Sequence, residues 1–245
     1  MGVSSVVRVG AVADLHYRRT AQGELVSLLS QVAQYCDVLL LPGDLTDRGM
    51  VEEAQLLARD LAASVKIPVL AVLGNHDFES DAAPEVARIL ADAGIVVLDG
   101  DAHEIHGIGF AGVKGFAGGF GKHALGAWGE PVIKQFVKEA LDEALKLENA
   151  LARLRTPQRI AVLHYAPIQG TVEGEPLEIY TYLGSSRLEE PLSRYPVTAV
   201  FHGHAHRGAP EGKTSTGVPV YNVSLPLLQR LAPDGPPLRV LEVAV

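Results

Sequence analysis

The stretch LLLPGDLTDRG, residues 39–49, decides how the rest of the chain is read. Apolar residues and a proline run straight into Gly43, and two aspartates three apart, Asp44 and Asp47, follow. The leucines read as a buried strand, and a buried strand that ends in a carboxylate needs something there to bind it. The identity of that partner of Asp44 organises the remaining sequence.

Working outward, LLLPGD belongs to a run of alternating elements. VVRVGAVADLH (6–16), DVLLLPGD (37–44) and IPVLAVLGNHD (67–77) read as strands. Between and after them lie helical spacings over 21–35 (Leu25, Leu28, Leu29, Val32), 50–65 (Val51, Ala54, Leu57, Ala58, Leu61) and about 84–93. Strand–helix alternation of this kind predicts right-handed βαβ crossovers and a largely parallel sheet. The second half changes character. IVVLDG, AHEIHGIGFAGV, RIAVLHYAP, VTAVFHGHAH, PVYNVS and LRVLEVAV are short strands at irregular spacing, interrupted by one helix near 130–153. That helix carries Val132, Phe136, Val137, Leu141, Leu145 and Leu147 against Glu and Lys. This half is expected to build a second, more mixed sheet facing the first. Residues 1–245 carry no internal repeat and no low-complexity linker, so a single domain is expected.

Composition narrows the function classes. Apolar residues make up 47% of the 245, enough for a sizeable core. A net charge of −8 argues against a basic footprint for nucleic acid or an anionic membrane. Cys36, the single cysteine, reads as a buried packing residue, excludes an intrachain disulfide and fits a reducing compartment. No stretch approaches a membrane span or a signal h-region, so the expectation is a cytoplasmic protein. Met1-Gly2 with Ser5 is too far from a myristoylation pattern, with Val6 where the hydroxyl belongs, to count.

The polar residues sit where strands end. Asp14 and His16 close the first strand, Asp44 and Asp47 the second, Asn75, His76 and Asp77 the third; His164 ends a later one, and His202, His204 and His206 follow VTAVF. Ligands of open α/β sheets bind outside the carboxyl ends of strands. Taken singly, an aspartate there is a turn or helix cap and a histidine a packed core residue. Caps and turns give no reason for so many histidines together. Oxygen and nitrogen donors without thiolate suit Mn, Zn or Fe rather than Ca. Asp14, His16, Asp44, Asn75, His164, His204 and His206 exceed what one ion needs, and fit two metals sharing one carboxylate. Asp44, central in the order, is the residue able to offer one oxygen to each.

DLH, GDLTD, GNHD, the isolated LHYAP and GHAH stand in the order and spacing of the calcineurin-like metallophosphoesterase family, which the chain resembles over residues 10–206. The resemblance implies a four-layer α/β/β/α sandwich of two facing mixed sheets with a dinuclear site at its edge. It implies Asp14, His16 and His206 on one ion, Asn75, His164 and His204 on the other, and Asp44 bridging. His76 corresponds to the family's non-ligand histidine beside the phosphate, a general acid or charge stabiliser, and Asp47 to the aspartate that orients it. Arg48 matches the GDxxDRG arginine that the family's protein phosphatases use on phosphate. His202 matches no ligand position and reads as a packed, hydrogen-bonded strand histidine.

The chemistry implied is phosphoester hydrolysis through a dinuclear centre and a bridging hydroxide, because an anionic ester repels free hydroxide and reacts very slowly unaided. The cofactors expected are two divalent or trivalent ions, Mn, Fe or Zn. The substrates expected are small-molecule phosphodiesters or phosphomonoesters, cyclic nucleotides included. A protein or nucleic-acid phosphoesterase is the alternative, and a non-enzymatic scaffold on the same fold ranks last, since every ligand position is filled. Residues 106–130 hold nine glycines, with Phe110, Phe116, Phe120 and Trp128 around Lys114, Lys122 and His123. They read either as a lid over substrate or as a connection packed on the core. Residues 170–190, acidic with Tyr180 and Tyr182, read as the opposite wall of a groove or as a dimer surface, which would make the protein a homo-oligomer.

Overall fold

The structure is a computed structural model that describes residues 5–20 and 26–245. Helix α1 (Val26–Tyr35) follows β1 (Val6–Ala11). The first turn expected for α1, with Leu25, and the Met1-Gly2 stretch lie outside the described residues. The alternation continues through β2 (Val38–Pro42), α2 (Val51–Ser64), β3 (Val69–Val72), α3 (Ala83–Asp92) and β4 (Val96–Val97). These strands pair in parallel, β1 to β2 to β3 to β4. Parallel strands buried on both faces need continuous apolar sequence, and every residue of β2 and β3 is buried.

The second sheet starts with β5 (Asp101–Ile105) and β6 (Ile108–Val113). AHEIHGIGFAGV is therefore a hairpin rather than one strand, because His106 and Gly107 both take positive φ, 51° and 79°, the geometry of a two-residue turn. Then come α4 (Pro131–Arg153), β7 (Gln158–Leu163), α5 (Tyr180–Leu183), α6 (Glu189–Arg194), β8 (Ala199–His202), β9 (Glu211–Lys213) and β10 (Pro219–Asn222). The sheet order is β5-β6-β7-β8-β10-β9, with antiparallel pairs at both margins and parallel pairs between. After α7 (Leu225–Leu231), the last strand β11 (Arg239–Ala244) does not join this sheet. It zips antiparallel along the whole of β1 and covers that edge of the first sheet. Two strands expected in the second sheet, IVVLDG and LRVLEVAV, thus complete the first, whose order is β11-β1-β2-β3-β4. Helix α3 returns IVVLDG beside β3 through an ordinary crossover, and the β1 edge was the free template for LRVLEVAV.

Period-two alternation in the second sheet separates its two faces. Ile108, Phe110, Ile160, Val162, Ala199 and Phe201 point into a core shared with the first sheet. Ala111, Val113, Ala161, Leu163, Val200 and Val220 point the other way, onto Leu147, Ala150 and Leu151 of α4. With α1, α2 and α3 over the first sheet, the architecture is the four-layer α/β/β/α sandwich of two mixed sheets that the sequence implied. Helix α4 buries Val137, Ala140, Glu143, Leu147, Ala150 and Leu151, whereas Val132, Leu141 and Leu145 are exposed. The contacting stripe uses alanines because they let the helix lie close on the sheet; hydrophobicity alone found Val137 and Leu147 but missed the alanines and added the exposed Val132, Leu141 and Leu145. Cys36 is buried beneath Gly10, with its thiol pushed up to about 11 by burial. No helix among the described residues is long and apolar enough to cross a membrane.

The segment 106–130 is not a continuous lid. Its first half is β6, with Phe110 fully buried between the sheets. Farther on, Gly118 donates to the Thr181 carbonyl and Gly119 to that of Gly184, so it is laced to the 170–190 segment instead of facing it across a groove. Phe110→Ala is therefore expected to destabilise the protein by about 3–5 kcal/mol in denaturant titrations. Leu145→Ala, on the exposed flank of α4, is expected to stay within about 0.5 kcal/mol. A Phe110→Ala effect as small as that of Leu145→Ala would contradict the core assignment.

Candidate metal centre

The carboxyl ends of β1, β2, β3, β7 and β8 meet on one rim, and all seven donor residues expected from sequence are found there. Their local backbone is unusual. Among the described non-glycine residues six have positive φ, and four of these are Asp14 (58°), His16 (42°), Asp44 (47°) and His204 (69°). Side chains in this region cost energy, and such strain concentrates where a site dictates geometry. Glycines make room around them. A β-carbon on Gly74 would stand 2.2 Å from Asp44 Oδ1, and one on Gly43 would stand 2.4 Å from His164 Nδ1. The GD and GNH motifs are tied to the donors by that closeness.

Donor atoms gather into groups within 4.8 Å. Asp14, His16 and His206 form one, Asp44, His164 and His204 another, and His16, Asp44 and His76 a third. His206 Nε2 lies 3.2 Å from Asp14 Oδ1, and His164 Nε2 lies 3.3 Å from Asp44 Oδ1 and 2.9 Å from Asn75 Oδ1. The buried carboxylates are steadied by main chain: His204 N donates to both oxygens of Asp14 at 3.0 Å, and His76 N to Asp44 Oδ1 at 2.9 Å.

The histidines are oriented by carbonyls that sequence reading did not anticipate. His164 Nδ1 donates to Pro42 O at 3.1 Å and His204 Nε2 to Tyr182 O at 3.1 Å. In a neutral imidazole this leaves the opposite nitrogen of each ring as a lone pair. For His164 the Nε2 atom then faces Asp44 Oδ1 and Asn75 Oδ1, an arrangement that a cation bound there would complete. His16 Nε2 is buried with no hydrogen-bond partner at all, 3.8 Å from Asp44 Oδ2. Burial lowers His16 to about 4 and His204 to about 3, which keeps both rings neutral and available as donors. Burial raises Asp44, whereas for Asp14 the burial cost is outweighed by the His206 hydrogen bond and neighbouring histidines, and the group is lowered. The donor set fits metal ions on each of these counts.

His76, Asp47 and Arg48 are arranged differently from one another. His76 Nδ1 lies 2.7 Å from the carbonyl of Asp47 and 3.3 Å from Glu79 Oε1. Burial disfavours its charged form, but that carbonyl and the carboxylates of Asp44, Glu79 and Asp47 outweigh it and raise the group. Asp47 thus meets His76 through its main chain; its carboxylate instead faces His16 Nδ1 at 3.7 Å and Arg18 Nε at 3.3 Å. Arg48 is not drawn into the cluster: its side chain is 72% exposed, and its nearest acid is Asp47 at 4.0 Å. His202 is buried in β8 with hydrogen bonds to Gly203 O and Thr171 Oγ1, as expected for a packed strand histidine.

Asp77, the last residue of GNHD, serves the scaffold. It is fully buried and accepts from Thr46 Oγ1 at 2.6 Å, Thr46 N and Gly74 N at 2.8 Å and Leu45 N at 3.2 Å. Those bonds clamp the loop after β2 to the loop after β3, which together carry Asp44, Asn75 and His76.

Comparison with known proteins fits this geometry. The calcineurin-like phosphoesterase family model matches residues 7–208, and the chain belongs to that family. A phosphopantetheinyl hydrolase from Mycobacterium tuberculosis is similar in structure, with 16% identity, a TM-score of 0.68 and coverage of 98% of this chain and 97% of that one. The protein TT1561 of Thermus thermophilus aligns with 16% identity and a TM-score of 0.58 over 98% and 99%. A putative 5'-nucleotidase from Staphylococcus aureus, in complex with alpha-ketoglutarate, aligns with 15% identity and a TM-score of 0.57 over 89% of this chain and 48% of that chain. At these identities the likeness is one of fold. Comparison with curated proteins gave no match.

The clamp predicts a structural phenotype for Asp77. Asp77→Ala leaves several buried donors unpaired and is expected to lower stability by about 2–4 kcal/mol in urea titrations. A melting curve unchanged from wild type would show that these bonds do not hold the two loops together.

Proposed function

We propose that the chain is a dinuclear metal-dependent phosphoester hydrolase acting on small-molecule phosphomonoesters or phosphodiesters. The carrying observation is His16 Nε2, buried at the rim with no hydrogen-bond partner, beside the buried carboxylates of Asp14 and Asp44. Membership of the phosphoesterase family and a structural likeness to a phosphopantetheinyl hydrolase and a putative 5'-nucleotidase support small phosphoesters as the substrate class. The acidic net charge of −8 supports the same choice over nucleic acid.

In this reading Asp14, His16 and His206 would hold one ion, Asn75, His164 and His204 the other, and Asp44 would be shared between them. When bound, a pair of Mn, Fe or Zn ions would offset the charge of the phosphate oxygens and acidify a water towards neutrality. Asp14 and Asp44 supply the negative charge that keeps such ions in place. The carbonyls of Pro42 and Tyr182 fix which nitrogen of His164 and His204 faces inward. His76, with Nδ1 anchored on Asp47 O, has Nε2 for the leaving oxygen and gives it a proton as the phosphorus–oxygen bond breaks. Asp47 positions His76 by its carbonyl and His16 by its carboxylate. Arg48, on its exposed side chain, reaches phosphate only from outside the rim.

Metal analysis tests the stoichiometry: two ions per chain are expected in wild type, and Asp44→Asn should lose most of the weaker one. A fully loaded preparation with a single tight ion would sink the dinuclear reading. His76→Ala is expected to keep both ions yet lose turnover about 10²–10⁴-fold on alkyl esters, and much less on activated aryl esters. Equal loss on both substrate types would remove His76 from the acid role.

A further inference from the structure

Next to the rim, at the carboxyl ends of β3, β4 and β6, lies a pocket of about 240 Å³. Leu73, Phe78, Ala87 and Leu98 make its walls apolar, and Asp99 and Lys114 are its charged groups. Two connections, one along the chain and one through main-chain hydrogen bonds, tie it to the candidate metal centre. Phe78 stands two residues after His76 in the same short turn, His76–Phe78. The carbonyl of Lys114 accepts from the main-chain N–H of both His164 and Tyr165. The Tyr165 ring spans the gap, its centroid 4.6 Å from that of His204 and 5.4 Å from Lys114 Nζ.

Lys114 is the anomaly in this pocket. Its ammonium sits over the rings of Phe78, Phe116 and Tyr165, at 5.5, 4.8 and 5.4 Å from their centroids, and donates to Gly115 O at 2.8 Å. No carboxylate among the described residues lies within ion-pair distance of it. Of the nearby acids, Glu143 is engaged with Gly115 N and Lys146 and Asp99 with Lys146, while Glu139 acts on Lys114 from beyond ion-pair distance. Burial disfavours the charged form and lowers the group. Lys114 is half-buried; ring faces and one carbonyl partly compensate its desolvation, but they leave its positive charge without an opposite one. Lys122, the other lysine of the glycine-rich segment, is exposed on a separate turn, Gly121–His123, and does not line the pocket.

We propose that this pocket receives the leaving group of the substrate, and that the group is an aromatic or branched apolar body carrying an anionic substituent that pairs with Lys114. The proposal rests on the phosphoester-hydrolase reading of the adjacent rim. Size favours a single ring with a substituent, since a cavity of about 150 Å³ already takes benzene. Position favours the leaving group over the phosphoryl group, because Phe78, in the pocket wall, shares its short turn with His76. In hydrolysis a water oxygen bonds to phosphorus, the bond from phosphorus to the leaving oxygen breaks, and that oxygen takes the proton of His76. Charge placed on Lys114 would hold the departing group in line with that proton and spend remote binding energy on orientation.

Two measurements on the full-length, metal-loaded protein test the proposal. The first is binding of 4-(hydroxymethyl)benzoate and of benzyl alcohol, followed by NMR titration without turnover. The benzoate should bind at least tenfold more tightly, Lys114→Met should erase that preference, and Ala87→Phe, which fills the pocket, should abolish binding of both. The second is the ratio of kcat/KM for 4-carboxybenzyl phosphate over benzyl phosphate, with the methyl diester of each in parallel. Lys114→Met should lower this ratio at least tenfold. An unchanged ratio, or equal affinity of the acid and the alcohol for wild type, overturns the proposal while hydrolysis of either ester leaves the phosphoesterase reading standing. Lys114-dependent binding of the benzoate by a protein that hydrolyses none of the esters supports the pocket and removes the phosphoesterase reading.

Discussion

The burial of two carboxylates, Asp14 and Asp44, where the edges of two sheets meet is the constraint on which the rest depends. Each is almost inaccessible to water, and unpaired burial of that kind is costly. The fold offsets part of the cost with its own main chain, and it does so across elements. Asp14, after β1, accepts from His204, after β8; Asp44, after β2, accepts from His76, after β3. His164, after β7, reaches back to the carbonyl of Pro42 in β2. The Asp14 bonds and the His164–Pro42 bond therefore fasten the second sheet to the first at this edge, and the Asp44 bond joins two loops of the first sheet. Main-chain bonds between Ala13 and the segment after β10 add to them, and the rest of the shared face is aliphatic and aromatic.

Strain tells how firmly the edge is held. Four residues of the cluster sit in the left-handed region, and each such residue costs on the order of 1–3 kcal/mol. Several kcal/mol are thus set against folding in a few residues, comparable to the net stability of an ordinary domain. Only a large apolar core makes that tolerable, and the two-sheet interior with Phe110, Phe201 and the β2 leucines supplies it. Asp77 adds a local restraint, since its four accepted bonds keep the loops after β2 and β3 in one arrangement. A site with this architecture is preorganised: its donors already stand in place, and the backbone does not need to move to bring them together.

Much of this was legible in the sequence, for identifiable reasons. Buried parallel strands need continuous apolar runs, so β1 to β3 announced themselves, and their ends carried the donors in an order and spacing that few other folds share. All seven expected donors do converge on one rim. What sequence hid was long-range pairing and shape. Nothing local in LRVLEVAV says that it pairs with β1 instead of the second sheet, since the partner lies at the far end of the chain. The glycine-rich stretch left a lid and a connection packed on the core both open, because glycine serves either; here several glycines serve close packing, since a β-carbon on Gly112 would collide with Leu98 and Val72. The carbonyls that orient His164 and His204 were invisible for a simpler reason, that a main-chain oxygen has no letter of its own. Tyr182 could be named as a tyrosine, but its contribution is its peptide group.

The same distinction bears on His76 and Asp47. A carboxylate against a histidine N–H stabilises the charged ring, and with it the proton the ring must give away; a neutral carbonyl fixes the ring while holding that proton less strongly. Here the Asp47 carbonyl takes the orienting position at 2.7 Å, and the Asp47 carboxylate turns towards His16 and Arg18. Glu79, at 3.3 Å and on an exposed side chain, is the only carboxylate within ion-pair distance of His76 among the described residues. Solvent screens that contact. The chain thus separates two tasks that a single aspartate side chain could have combined. Main chain sets the direction of the His76 ring, and the surrounding carboxylates, Asp44 first and then Glu79 and Asp47, adjust its charge, so the direction survives changes in ionic conditions that alter the charge.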